Sequence, residues 1–115
     1  MVRKIYLARI YFTSMTDYKE RPILIIKEYE KFDVVFAPLT TNLQRAGIQI
    51  TTADLEKGTL SRPSVVIVAK LATISQTLLL KELATLKQET FAKVMHELCQ
   101  GFECPSFLPR LGVEK

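Results

Sequence analysis

Glu20-Arg21-Pro22-Ile23-Leu24-Ile25-Ile26 and Asp33-Val34-Val35-Phe36-Ala37-Pro38-Leu39-Thr40-Thr41 are two apolar runs separated by the charged segment Glu28 to Lys31. Runs of this length, rich in β-branched and aromatic residues and bounded by charge and proline, read as strands joined by a turn. Proline lacks an N–H, so Pro22 suits the first position of a strand and Pro38 an edge or an end. Arg21 is then expected at the mouth of the first strand, and Thr40 and Thr41 at the end of the second. In an antiparallel pair, the start of one strand lies beside the end of its neighbour. Arg21 and Thr40 are therefore expected to meet at one edge of the sheet. A guanidinium fork matches two phosphate oxygens, and a hydroxyl beside it adds a rotatable donor. Spacing alone favours the plainer reading, a surface charge and two threonines that merely finish a strand.

Outward from this pair, Lys4 to Phe12 has strand composition, and Thr13 to Glu20 is polar and turn-like. Leu43 to Gly47 reads as a loop, Ile48 to Thr52 as a short strand, and Leu55 to Arg62 as a polar connection. Val65-Val66-Ile67-Val68 does not alternate, which indicates burial on both faces and places Val65 and Val66 at the centre of the core. Leu71 to Ile74 continues it, while Thr77 to Leu83 fits a strand or a helical turn. From Gln88 to Gly101 the spacing of Phe91, Val94, Met95, Leu98 and Phe102 predicts an amphipathic helix. The tail from 103 to 115 holds Pro105, Pro109 and Gly112 and is expected to be extended. The fold class expected is mainly β with a C-terminal α-helix: a small, strongly bent sheet or barrel closed by the helix.

Composition narrows the functions. With 115 residues and 48% hydrophobic content the chain has material for one core. Sixteen Lys+Arg against twelve Asp+Glu give +4, which permits a phosphate-bearing partner. One His and two Cys leave a zinc site built from His and Cys one ligand short of the usual four; no metal site and no cofactor are expected. No glycine-rich phosphate loop occurs. His96 lies off the helical stripe and reads as a surface residue, and Cys99 and Cys104 read as partly buried small hydrophobes. Arg3, Lys4 and Arg9 interrupt the first apolar run and read as an exposed strand face. No apolar run approaches the roughly 20 residues of a membrane span, so a soluble, cytoplasmic protein is expected.

The order of E-R-P-I-L-I-I at 20–26, A-P-L-T-T at 37–41 and S-R-P-S-V-V-I-V-A-K-L-A-T-I at 61–74 resembles the MazF/PemK family of toxin endoribonucleases, over about residues 2 to 102. The resemblance implies one Src-homology-three-like barrel domain of the CcdB/MazF/PemK toxin type over 1–102, the tail 103–115 lying beyond it. It further implies a homodimer, metal-independent cleavage of single-stranded RNA by attack of the ribose 2′-hydroxyl, and a cognate antitoxin protein as partner. Carried over, the catalytic Arg falls on Arg21 and the catalytic Thr on Thr40. Tyr18, Lys19, Thr41 and Lys70 are the candidate RNA-binding residues beside them. The chain departs from the family where Arg3-Lys4 replace Gly-Asp, where the first loop lacks glycine, and where Ala69-Lys70 replace an acidic-Gln pair. Two other readings stay open: a catalytically silent nucleic-acid- or protein-binding module, and a CcdB-type topoisomerase poison.

Overall fold

In a computed structural model, which describes residues 1–11, 17–104 and 106, the chain forms an eight-stranded sheet and one α-helix. The strands are β1 (Lys4–Tyr11), β2 (Tyr18–Tyr29), β3 (Asp33–Thr40), β4 (Ile48–Ile50), β5 (Leu55–Gly58), β6 (Ser64–Val66), β7 (Ala72–Ser75) and β8 (Leu79–Leu86), followed by α1 (Gln88–Gly101). Their spatial order is β4-β6-β3-β2-β1-β8-β5, with β7 also on β3, and every pairing is antiparallel. The mainly β class with a C-terminal helix is as expected. Much of the polar loop expected before Glu20 lies outside the described residues.

Side-chain alternation splits the apolar residues between the two faces of the sheet. Leu24, Ile26, Ala37 and Leu39 join Val66 and Val94 of α1 in the larger core, with Phe91, Met95 and Leu98 packed against it. Ile23, Ile25, Val34, Phe36 and Ala8 form a second cluster on the other face. Val65 and Val66 are buried at 2% and 0% exposure, as their unalternating run predicts. Phe102, expected in the helical stripe, is instead exposed, because it is the cap residue where the chain has left the helix. Glu103 then turns with φ 57°, and the Ser106 amide donates to its carbonyl oxygen.

Three sequence expectations shift. β2 is longer than the apolar run, so Arg21 lies within it, opposite Ala8, and not at its mouth. Leu55 to Gly58, expected as a connection, is a strand because β8 offers it an edge. The ambiguous Thr77 to Leu83 resolves into a 3-10 turn over Gln76–Leu78 and the strand β8. Arg3 and Lys4 are clips between strands: the Arg3 guanidinium donates to the Leu86 carbonyl at 2.9 Å, and Lys4 pairs with Glu82 at 3.0 Å. That hydrogen bond raises the pKa of Lys4 and lowers that of Glu82.

The β2–β3 ladder ends at Ile23–Pro38, and hydrogen-bond accounting explains why. The Arg3 amide donates to the Ile25 carbonyl, so Ile25 and Ile23 direct their backbone groups toward β1, and Leu24 and Pro22 toward β3. The next hydrogen-bonded pair, Pro22 with Leu39, needs an N–H that proline lacks. β3 therefore parts from β2 and continues against β6 through Leu39–Val66 and Thr40–Val65. Restoring the donor with Pro22→Ala is expected to extend the ladder. The new amide at that position would then exchange slowly and show contacts to Leu39 by NMR. A freely exchanging amide would contradict this account of the seam.

Candidate functional site: a cationic cavity beside the β2–β3 seam

Where β2 and β3 part, alternation carries Arg21 from the row of Ile23 and Ile25, and Thr40 from the row of Phe36 and Pro38, into one cavity of about 340 Å3. Arg45 and Lys70 also line it, over apolar walls from Ile10, Phe36 and Ile67. Its volume falls in the range of sites for small ligands, about 300–1,000 Å3.

Each polar side chain arrives by a local device. β6 and β7 follow one edge of β3, and between them Val68–Lys70 form a 3-10 turn that bulges from the ladder. A bulge re-aims side chains, and this one delivers Lys70. The Ile67 amide donates to the Pro38 carbonyl at 2.9 Å, so the backbone of Pro38 faces this edge, and its missing N–H lies beside the bulge. The Thr40 hydroxyl accepts from the Asn42 amide at 3.1 Å, and the Asn42 side-chain oxygen accepts from the Gln44 amide at 3.0 Å. The Arg45 amide donates to the Asn42 carbonyl at 3.1 Å, which completes a turn returning Arg45 to the cavity. Gly47 closes this loop with φ 150°, and a side chain there would strike the Val66 carbonyl oxygen.

The electrostatics are one-sided. No carboxylate lines the cavity, and among the described residues no acidic group pairs with Arg21, Arg45 or Lys70. Since the Thr40 oxygen already accepts a backbone hydrogen bond, its own proton is available for donation into the cavity. Such an arrangement suits a phosphate group: fixed positive charge, a directed hydroxyl and apolar walls that lower the local dielectric. Among the described residues no three His, Cys, Asp or Glu side chains converge as a metal site would require. His96 is exposed on α1. The Cys99 thiol is shifted up by its contact with Cys104, opposite to the shift that makes a thiol nucleophilic.

Of the residues singled out in the sequence, the structure brings together Arg21, Thr40 and Lys70. Lys19 shares the Arg21 row and pairs with Ile10, but does not line the cavity. Tyr18 falls on the opposite face by alternation, with the Arg9 guanidinium 4.5 Å from its ring centre and the Tyr11 ring at 5.6 Å. Thr41 lines a different hollow, together with Pro22. Arg45 was missed. Its only sequence signal is the turn-forming Asn42 three residues earlier.

The family model for the PemK-like, MazF-like toxin of type II toxin–antitoxin systems matches residues 2–102. Among solved structures, a Mycobacterium tuberculosis toxin, MazF-mt6, aligns with TM-score 0.69 and 24% identity over 88% of this chain and 97% of its own. An endoribonuclease from a mycobacterial species aligns with TM-score 0.62 and 20% identity over 90% of this chain and 91% of its own. At these identities the structural likeness establishes a shared fold. No curated protein matches the chain.

The cavity is expected to bind inorganic pyrophosphate, with NMR shifts at Thr40 and Lys70. Arg21→Ala and Lys70→Ala should each weaken that binding about tenfold or more, as loss of a charged hydrogen bond implies, without lowering Tm. Equal binding by both variants would show that the cations do not act on one anion.

Proposed function

The chain belongs to the PemK-like, MazF-like toxins of type II toxin–antitoxin systems, and on that premise we propose that it is an endoribonuclease that cuts single-stranded RNA without a metal ion. The observation that carries this reading is the cavity in which Arg21, Thr40, Arg45 and Lys70 surround space for a phosphate with no carboxylate among them.

In this mechanism the ribose 2′-oxygen attacks the adjacent phosphorus and the bond from phosphorus to the 5′-oxygen breaks. The products are a 2′,3′-cyclic phosphate and a 5′-hydroxyl. The 2′-hydroxyl loses its proton, and the departing 5′-oxygen gains one. Negative charge grows on the non-bridging oxygens, where the Arg21 guanidinium neutralises it through two hydrogen bonds. Thr40 donates a further hydrogen bond through its free proton. A guanidinium keeps its charge in proteins, so the role of Arg21 is electrostatic. Lys70 and Arg45 hold the flanking backbone charge. The Thr40 hydroxyl is oriented before substrate arrives by the Asn42 amide, whereas the exposed Arg21, Arg45 and Lys70 side chains are ordered by the phosphates they meet.

Family membership supports the remaining parts of the proposal: single-stranded RNA as substrate, a cognate antitoxin that holds the protein inactive, a homodimer and a cytoplasmic site of action. Among the described residues no helix is long and apolar enough to cross a membrane.

The test is cleavage of a mixed-sequence RNA in excess EDTA. Wild type is expected to cut it, leaving cyclic-phosphate and 5′-hydroxyl ends. Arg21→Ala should lose about 10²–10³ in kcat, the cost of one transition-state donor, with an unchanged circular dichroism spectrum. Thr40→Val should lose a comparable factor while Thr40→Ser, which retains the hydroxyl, stays near wild type. RNA left intact by wild type, or cut only when metal is added, would overturn the assignment.

A further inference from the structure

On the other face of the same seam lies a second hollow of about 300 Å3, to which the cleavage reaction assigns no role. Thr41, Thr59, Ser61, Arg62 and Ser64 supply its polar lining, and no carboxylate lines it. Its apolar part comes from Leu60, Leu83 and Pro22. Arg62 is exposed and has no acidic partner among the described residues.

The loop that carries these groups is held in place. The Thr52 hydroxyl accepts from the Leu60 amide at 3.1 Å and donates to the Leu60 carbonyl at 3.2 Å. The buried Ser64 hydroxyl donates to the Arg62 carbonyl at 3.3 Å. Pro63 restricts Arg62 to extended backbone. A guanidinium that shares a hollow with the hydroxyls of Thr41, Thr59 and Ser61 matches a ribose-phosphate unit, whose charge takes the fork and whose sugar oxygens take the hydroxyls.

The two hollows are connected through the chain itself. Arg21 and Pro22 are neighbours in β2, as are Thr40 and Thr41 at the end of β3, and each pair sends one residue to each hollow. The wall between them is the seam where the ladder has stopped. We propose that this second hollow is a ribose-phosphate subsite for a nucleotide flanking the scissile bond, so that the RNA strand crosses the seam from one hollow to the other. This rests on the endoribonuclease reading for the identity of the strand, and on Arg62 and the hydroxyls for the subsite itself.

The experiment separates the two. Binding of a mixed-sequence 2′-O-methyl RNA, which cannot be cut by 2′-hydroxyl attack, is measured by fluorescence anisotropy across a salt series. Arg62→Ala should weaken binding about tenfold and reduce the slope of log K against log salt by about 0.7, one phosphate contact on a single strand. Arg62→Lys should restore most of the slope. In cleavage assays Arg62→Ala should raise KM on a long RNA. If wild type binds but does not cut, and Arg62→Ala weakens that binding, the cleavage reading fails and the subsite stands. If Arg62→Ala leaves affinity and slope unchanged, the subsite is overturned whether or not wild type cuts. Failure of wild type to bind RNA overturns both.

Discussion

A strand pairs with its neighbour only as far as both can offer backbone donors and acceptors, and β2 stops offering a donor at Pro22. The rest of the site follows from that limit. Beyond Ile23–Pro38 the two strands no longer form a ladder, and β3 is held instead by β6. The seam so formed leaves Arg21 and Thr40 beside each other without the closed backbone that would fill the space between them. Pro38 complements it on the other edge of β3, where its missing N–H faces the bulge that delivers Lys70. Two prolines thus stop the sheet beside an open cavity, while Ile23, Leu24, Ile25, Ala37 and Val66 next to it remain fully buried.

Charge is distributed in keeping with this. Two cations elsewhere on the sheet are paired: Lys4 with Glu82, and Arg3 with Glu56 and the Leu86 carbonyl. Those at the seam have no acidic partner among the described residues. Like charges gathered at one cavity repel, a cost that is relieved when an anion enters. Unpaired positive charge next to a hydroxyl that already accepts one backbone hydrogen bond is an arrangement suited to phosphate. A net charge of only +4 is compatible with this, because three of the cations without an acidic partner line one cavity.

What the sequence reveals depends on whether an element is built by its own pattern or by its partner. β3, β6 and α1 carry strong apolar patterns and are legible in the sequence, although the run read as one strand from Val65 to Val68 leaves the ladder after Val66 for the 3-10 turn over Val68–Lys70. The outer half of β2, Tyr18 to Pro22, is polar and contains a proline, so only its pairing with β1 makes it a strand. β5 has a single apolar residue and forms because β8 presents an edge. That Arg21 and Thr40 come to one edge is legible from the order of the two strands, but the exact register is not: the pairing shifts by one residue between Ile25 and Lys27, and without that shift Arg21 would face Thr41. Lys70 enters through a three-residue bulge, and Arg45 through a chain of side-chain-to-backbone turns, neither of which leaves a periodic trace. The separation of Thr41 from Thr40 follows from simple alternation, since adjacent strand residues point to opposite faces.

The central claim is that Arg21 and Thr40 act on one phosphate. NMR of the Arg21 Nε–Hε group and the Thr40 methyl group during titration with 2′-O-methyl RNA tests it directly. Both resonances are predicted to shift along a single binding curve, with the Arg21 shift diminished in Thr40→Val. Movement of one resonance without the other, or two curves with separate dissociation constants, would contradict it.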